Sequence, residues 1–302
     1  MSNLTNVGQL DRKKYIGGSD VAGILGVSPW KTPLQVYLAK TEQDTEVITE
    51  AKQKIFNRGK RMEPYLIDLL SEELGITIKD RGNRYIDSEH DFIAAEIDAE
   101  TVDGRNVEIK TANQFSASQW GDKGSDEIPV YYAAQAMHGL MVTGKDECIF
   151  GVLIGSDDFR TYVIKRDQET IAAIRQKELD FWNNHVLKGV PPEPTNVDDI
   201  KKLYGKDSGS IIEADRNIET DIIVLKSLKD ELKALEDRIE THENNIKMYL
   251  KDHATLTLHG LPVATYKSQQ AKRFDSTAFK AKHPDLYEQF IKVTESRIFR
   301  VK

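Results

Sequence analysis

A single cysteine, Cys148, stands in this chain of 302 residues. That scarcity excludes an internal disulfide framework, a cysteine-rich zinc site and a four-cysteine iron–sulfur cluster. Cys148 lies in an apolar stretch, where a free thiol behaves as a small core residue. No apolar run approaches membrane-spanning length, so no membrane partner is expected. Met1 to Leu10 has no charged segment leading into an apolar one, and the expected compartment is the cytoplasm. The seven histidines, His90, His138, His185, His242, His253, His259 and His283, show no metal-ligand spacing and read as structural or exposed. No internal repeat or low-complexity segment is present.

An excess of positive charge is also missing. The net charge is −7, which is unusual for a nucleic-acid binder, yet the charge is unevenly placed. Residues 51–61 carry Lys52, Lys54, Arg58, Lys60 and Arg61 with no acid among them, and from Pro262 onward nine Lys and Arg face four Asp and Glu.

The most informative stretch is Ile97-Asp98 followed by Val107-Glu108-Ile109-Lys110. Phe92 to Ile97 is mainly apolar and reads as a strand ending at Asp98. Asp103-Gly104 is a strong hairpin turn, and alternation along the second strand puts Glu108 and Lys110 on one face. Two carboxylates and an ammonium thus converge. Such a pair suits a hard divalent cation, Mg²⁺ with Mn²⁺ as substitute, and the Ile109 carbonyl offers a further oxygen. The metal polarises a phosphoryl oxygen and acidifies water, and Lys110 holds or deprotonates that water or neutralises phosphate charge. By spacing alone, a solvated cross-strand ion pair explains the pattern as well. The apolar flanks favour the site, because they bury the hairpin and raise the cost of placing charge there.

Residues 1–195 read as one mixed α/β unit. Gly17-Gly18 permits close backbone approach to a ligand, and Ser19 is expected as the N-cap of a helix to Leu25. Thr32 caps a short helix through Leu38. Lys52 to Leu74 forms a long helix closed by Gly75. Ile76-Thr77-Ile78 and Arg84-Tyr85-Ile86 suggest two strands before the hairpin. Tyr131 to Val142 is a helix, Glu147–Ile154 and Arg160–Ile164 are strands, the first central, and Asp167 to Leu187 is a helix. Pro191-Pro192-Glu193-Pro194 marks the boundary. In residues 196–302, Ile218, Leu225, Leu232, Ile239 and Ile246 recur every seven residues, with Leu228 and Leu235 between them. This long amphipathic helix is a coiled-coil strand or a helix packed within its own domain. A small basic element follows: a hairpin around His259-Gly260, a short helix from Ser276, and a terminal strand from Arg297 to Val301.

Further residues extend the site. Glu63 lies on the basic helix, and Gln135 lies on the helix after the hairpin. Together, Ile16-Gly17-Gly18-Ser19-Asp20, Ser28-Pro29-Trp30-Lys31-Thr32-Pro33, Arg58-Gly59 with Glu63, the Asp98 to Lys110 hairpin, Ile128-Pro129 with Tyr132 and Gln135, and Phe181-Trp182 with Pro191-Pro192 occur in order. This set resembles the YqaJ-type viral recombinase nucleases, phage alkaline exonucleases of the PD-(D/E)XK superfamily related to phage lambda exonuclease. The likeness covers roughly residues 10–195.

The resemblance implies a restriction-endonuclease-like core, a central mixed sheet flanked by helices, with a C-terminal α+β extension for which it supplies no catalytic motif. It matches Asp98, Glu108 and the Ile109 carbonyl to metal ligands and Lys110 to the catalytic lysine. Glu63 matches the acid supporting the metal and its water, and Gln135 the glutamine beside the scissile phosphate. Arg12 and Ser19 match the pair that grips the 5′-phosphate; a helix start after two glycines and a bidentate arginine suit an anion. Lys13 and Lys14 adjoin Arg12 and offer the same charge. Lys31, Arg58 and Lys60 are expected as weaker DNA contacts. The implied activity is Mg²⁺-dependent 5′→3′ digestion of one strand of linear duplex DNA bearing a 5′-phosphate. The 3′ tails would pass to a phage single-strand annealing protein, and the implied assembly is a homo-oligomer, a trimer. Two alternatives stand beside it: an endonuclease or repair nuclease of the same superfamily, and a DNA-binding scaffold acting through residues 196–302.

Overall fold

The structure is a computed structural model and describes residues 11–43 and 49–302. The leader reading of Met1 to Leu10 therefore lies outside the described residues. The chain divides into two compact units after Leu203, not at residue 195. The intervening helix belongs to the first unit: Asp199 is fully buried, accepts from Thr32 Oγ1 at 2.8 Å, and also receives the Thr195 hydroxyl and amide.

The first unit contains α1 (Gly18–Ile24), α2 (Pro33–Lys40), α3 (Glu50–Leu74), β1 (Ile78–Ile86), β2 (Ala94–Thr101), β3 (Asn106–Ala112), α4 (Val130–Thr143), β4 (Glu147–Ile154), β5 (Asp158–Lys165), α5 (Gln168–Phe181) and α6 (Val197–Leu203). The five strands form one mixed sheet in sequence order. Only β3 and β4 run parallel, joined by the crossover that contains α4; the other neighbours are antiparallel. The sheet is covered on both faces. Leu66, Ile67 and Leu70 of α3 pack on Val107, Ile149 and Leu153, while Ala136 and Leu140 of α4 pack with Ile97, Phe150 and Val152 on the other side. Each of the buried Leu, Ile, Val and Phe side chains among these contributes about 2 kcal/mol.

β1 corrects one expectation. It is a single strand, where Ile76–Ile78 and Arg84–Ile86 suggested two, with a register shift between Ile78 and Asp80. Its middle, Lys79 to Gly82, is exposed. An edge strand with a solvated face needs no apolar alternation, so polarity concealed its continuity. The cap of α1 is also different. Gly17 is the N-cap, and the carboxylate of Asp20, not the Ser19 hydroxyl, accepts from Gly17 N at 3.1 Å.

The second unit contains α7 (Arg216–Leu250), β6 (Thr255–Leu258), β7 (Leu261–Thr265), α8 (Ser276–Lys282) and α9 (Pro284–Gln289). α7 runs for 35 residues from an N-cap at Asp215. The hairpin turn at His259 and Gly260 uses positive φ at both residues. The expected terminal strand at Arg297–Val301 is absent. β6 and β7 pair only with each other, and Arg297 instead donates to the Tyr204 carbonyl at 2.8 Å. No described helix is long and apolar enough to cross a membrane.

Candidate active site

The site is built where β2 and β3 stop pairing. The ladder between them holds at Ala99 with Val107 and Glu100 with Asn106. One step further, the same register would put Asp98 directly opposite Glu108, and like charges placed so are destabilising. The strands part there. Asp98 Oδ2 takes over the broken ladder and accepts from Ile109 N at 2.8 Å.

Glu108 is buried among polar groups. Lys110 Nζ reaches its Oε2 at 2.8 Å, and Gln135 Nε2 donates to the same oxygen at 2.9 Å. β3 thus supplies two residues through strand alternation and α4 supplies the third across the crossover. Gly18 of α1 lets this happen, because a Cβ there would meet the Gln135 side chain at 3.0 Å. The Lys110 ammonium also lies 5.5 Å from the Tyr132 ring, one turn before Gln135.

Burial first, then the Asp98 and Glu63 carboxylates, pushes the Glu108 carboxyl up to about 7 despite Lys110. Burial opposes the charge on Lys110, but Glu108 and Asp98 outweigh it and hold its pKa above the usual lysine value. Glu63 is raised by burial and by Asp98. The site holds more negative charge than Lys110 balances. A cation is the complement of such a site, and two carboxylates beside a backbone carbonyl are the hard oxygen donors that magnesium or manganese takes. Among the described residues, no three His, Cys, Asp or Glu side chains converge as ligands. Glu63 is the third carboxylate close enough to Asp98 and Glu108 to be felt by both. It lines the groove on the α3 side with Asp98 and Lys110, walled by Ile55 and Phe56.

On the opposite side, Asp98 and Glu108 border a cleft of about 150 Å³ with Arg12, Ser19, Gln135 and His138. Arg12 donates to Ser19 Oγ at 2.6 Å and lies 3.6 Å from Glu96 and 3.9 Å from Asp20. Lys13 instead pairs with Glu42. Lys31 is 3.8 Å from Asp20, and Arg58 and Lys60 are exposed on α3.

Two polar pairs that hold this cleft have no counterpart in the sequence reading. Lys40 is buried and donates from Nζ to Asp20 at 2.6 Å, to the Arg12 carbonyl at 2.8 Å and to the Tyr15 carbonyl at 2.5 Å. It fastens the Arg12 segment to α1 and α2. The available signal was periodic: Lys40 lies three and four residues after the buried Tyr37 and Val36, on the buried stripe of α2. His138 is the second case. Its Nδ1 lies 2.7 Å from Glu178 Oε1 and its Nε2 lies 2.9 Å from the Ala94 carbonyl. With Glu178 ionised both partners are acceptors, and the imidazolium is the form that donates to both. Burial works against that charge, but Glu178 outweighs it and raises the His138 pKa.

Comparison with known proteins shows the family of the chain. Residues 9–146 match the YqaJ-like viral recombinase domain. An uncharacterized protein, YqaJ, of Bacillus subtilis (strain 168) is 30% identical over 301 residues, 97% of this chain and 92% of that protein. The chain belongs to the YqaJ family. Among solved structures, the alkaline exonuclease LHK-Exo from Laribacter hongkongensis aligns at a TM-score of 0.47 with 18% identity, over 59% of this chain and 91% of that one. A phage-related exonuclease from Haemophilus somnus 129PT aligns at 0.43 with 16% identity, over 58% and 96%. The YqaJ family match covers the polypeptide from the Arg12 segment through α4, so all the residues around the cleft except those of α5 fall inside it.

Proposed function

We propose that this YqaJ-family protein is a divalent-metal-dependent deoxyribonuclease that enters linear duplex DNA at an end and removes nucleotides from the 5′-terminated strand. The product is a 3′ single strand of use to an annealing protein in recombination, in keeping with the family's recombinase name. One observation carries the reading. Asp98, Glu108 and Gln135 border the same small cleft as Arg12 and Ser19, so groups suited to cutting a phosphodiester lie beside groups suited to gripping a terminal phosphate.

Asp98, Glu108 and the Ile109 carbonyl are the residues that would hold magnesium or manganese, with Glu63 supporting them through water. When bound, the metal supplies Lewis-acid polarisation of the phosphoryl group and a more acidic water. The chain's own residues do the rest. Lys110 places a positive charge where the phosphate gathers negative charge. Gln135 offers an amide donor to a phosphate oxygen and keeps the Glu108 carboxylate oriented. Arg12 and Ser19 take the 5′-phosphate through charge-assisted hydrogen bonds. Lys31, Arg58 and Lys60 steer the duplex with exposed charge, which offsets the net −7 of the chain locally.

The test is digestion of a linear duplex labelled at its 5′-phosphates, beside one labelled at its 3′ ends and a covalently closed circle. With Mg²⁺ present, 5′ label is released first as mononucleotide and the circle stays intact. Cutting of the circle, or equal early release from both ends, contradicts the proposal.

A further inference from the structure

The inference concerns α7 and stands independently of the nuclease reading. Its heptad face is unfilled: Leu228, Leu232, Leu235 and Ile239 remain 55%, 54%, 49% and 51% exposed. Leu228, Glu231, Leu232 and Leu235 frame a shallow depression on this face. Positions i, i+3, i+4 and i+7 are the four corners of the hole that receives a knob in a coiled coil. The charges flanking the seam decide what fills it.

We infer that α7 pairs with α7 of a second copy of this chain as an antiparallel, two-fold-related coiled coil centred between Lys233 and Ala234. That centre lies at the middle of the helix, which runs from Arg216 to Leu250, so the two seams overlap along their whole length. In this register Leu232 layers on Leu235 of the second copy, and Leu228 on its Ile239. The flanking positions put Glu231 opposite Arg238 and Lys229 opposite Glu236, and the two-fold axis repeats each pair. All four contacts join opposite charges.

The parallel arrangement fails the same comparison. It sets Glu231 against Glu236 twice, which cancels its two Arg238–Glu243 attractions, so no net charge pairing remains. It also places Asp221, which occupies a seam position, against its own copy, and His242 likewise. The antiparallel register removes both self-contacts: Asp221 faces Ile246 and His242 faces Leu225. Charge pattern and seam composition thus select one orientation of one partner, the chain itself.

Two-fold pairing makes the number of chains in the assembly even. Two monomeric cores joined this way give two chains, and two trimeric cores give six. The full-length protein tests this by light scattering at about 10 µM, with circular dichroism to confirm that α7 stays helical. The expected mass corresponds to an even count, and the double substitution Leu232→Glu/Leu235→Glu halves it. A monomer, an odd count, or a mass unchanged by that substitution overturns the inference.

Orientation has its own readout. Glu231→Arg weakens the association about tenfold by turning two attractive contacts repulsive, and adding Arg238→Glu restores it. Parallel pairing would be strengthened by Glu231→Arg. A spin label at Glu219→Cys, with Cys148 buried and silent, should report its copy at about 45 Å, from a rise of about 1.5 Å per residue. A separation below about 20 Å contradicts the antiparallel register.

Discussion

The two units of this chain dispose of charge and apolar surface in opposite ways. In the first, charged side chains are taken inside: Glu108, Asp20, Lys40, Glu178 and Asp199 are all buried, and each has a specific hydrogen-bond partner. In the second, apolar side chains stand outside along α7, and Leu250 at its end is the buried residue of that helix. Burying a charge is expensive and pairing repays only part of the desolvation, so the first unit carries a cost that fits a chemical site. Exposing a regular apolar stripe fits a surface that meets another surface. On the proposals made above, one unit is arranged for reaction and the other for association.

Substitutions that break this contrast should have effects in a definite order. The largest belongs to the buried site. Glu108→Ala removes the carboxylate on which Lys110 and Gln135 converge. Digestion of linear duplex should fall on the order of 10³-fold or more, measured as mononucleotide release under saturating Mg²⁺. A loss below tenfold would place the chemistry elsewhere.

Next comes the pin beneath the cleft that Arg12 borders. Lys40→Met leaves the Asp20 carboxylate buried without its closest partner. Breaking such a pair costs about 3–5 kcal/mol, or roughly 10 °C in Tm for a unit of this size. Calorimetry on the full chain would show it, and a shift under about 3 °C would mean that Lys31 and Arg12 suffice to hold Asp20.

A smaller and more selective effect is expected at the rim. Arg12→Ala should slow digestion of 5′-phosphorylated ends about tenfold while changing 5′-hydroxyl ends little, because the charge-assisted contact to phosphate is what is lost. Equal slowing of both ends, against a wild type that prefers phosphorylated ends, would assign Arg12 to packing with Tyr15 and Glu96 instead.

The smallest effect depends on pH. The folded-state pKa of His138 is raised above its unfolded value, so its pairing with Glu178 stabilises the fold fully below about 6.5 and loses that contribution as pH rises through the raised pKa. Glu178→Gln should therefore lower Tm by about 5 °C at pH 6 and by progressively less toward pH 9. A difference that grows with pH would reverse the assigned charge state.

How far the sequence discloses this molecule follows from the range of the interactions involved. The β2–β3 hairpin, the shared face of Glu108 and Lys110, the long α3 and the seam of α7 are local, set by turn chemistry and periodicity within a few residues. Gln135 could be placed on its helix by the same reasoning. Its contact with Glu108 arises from packing of α4 against the sheet, and in the sequence it rests on family resemblance alone. The bonds from Lys40 to Asp20 and from His138 to Glu178 span 20 and 40 positions; periodicity puts Lys40 on a buried stripe, but nothing local names either partner. The cap of α1 misled for a related reason. Ser19 has the residue type of a cap, but Asp20, one place later, can reach back to Gly17 while also meeting Lys40, so tertiary pairing decided between two local candidates. At Arg297–Val301 a strand-like composition had no sheet edge to join, and no strand formed.

The central claim is that the parting of β2 and β3 creates a site that cuts DNA. It is tested most directly with Lys110→Ala, by measuring binding and cleavage of one 5′-phosphorylated linear duplex in the same samples. Binding without metal should stay within about threefold of wild type, while single-turnover release of the 5′-nucleotide with Mg²⁺ falls at least about 10³-fold. Release at the wild-type rate by a variant that binds normally would contradict the account.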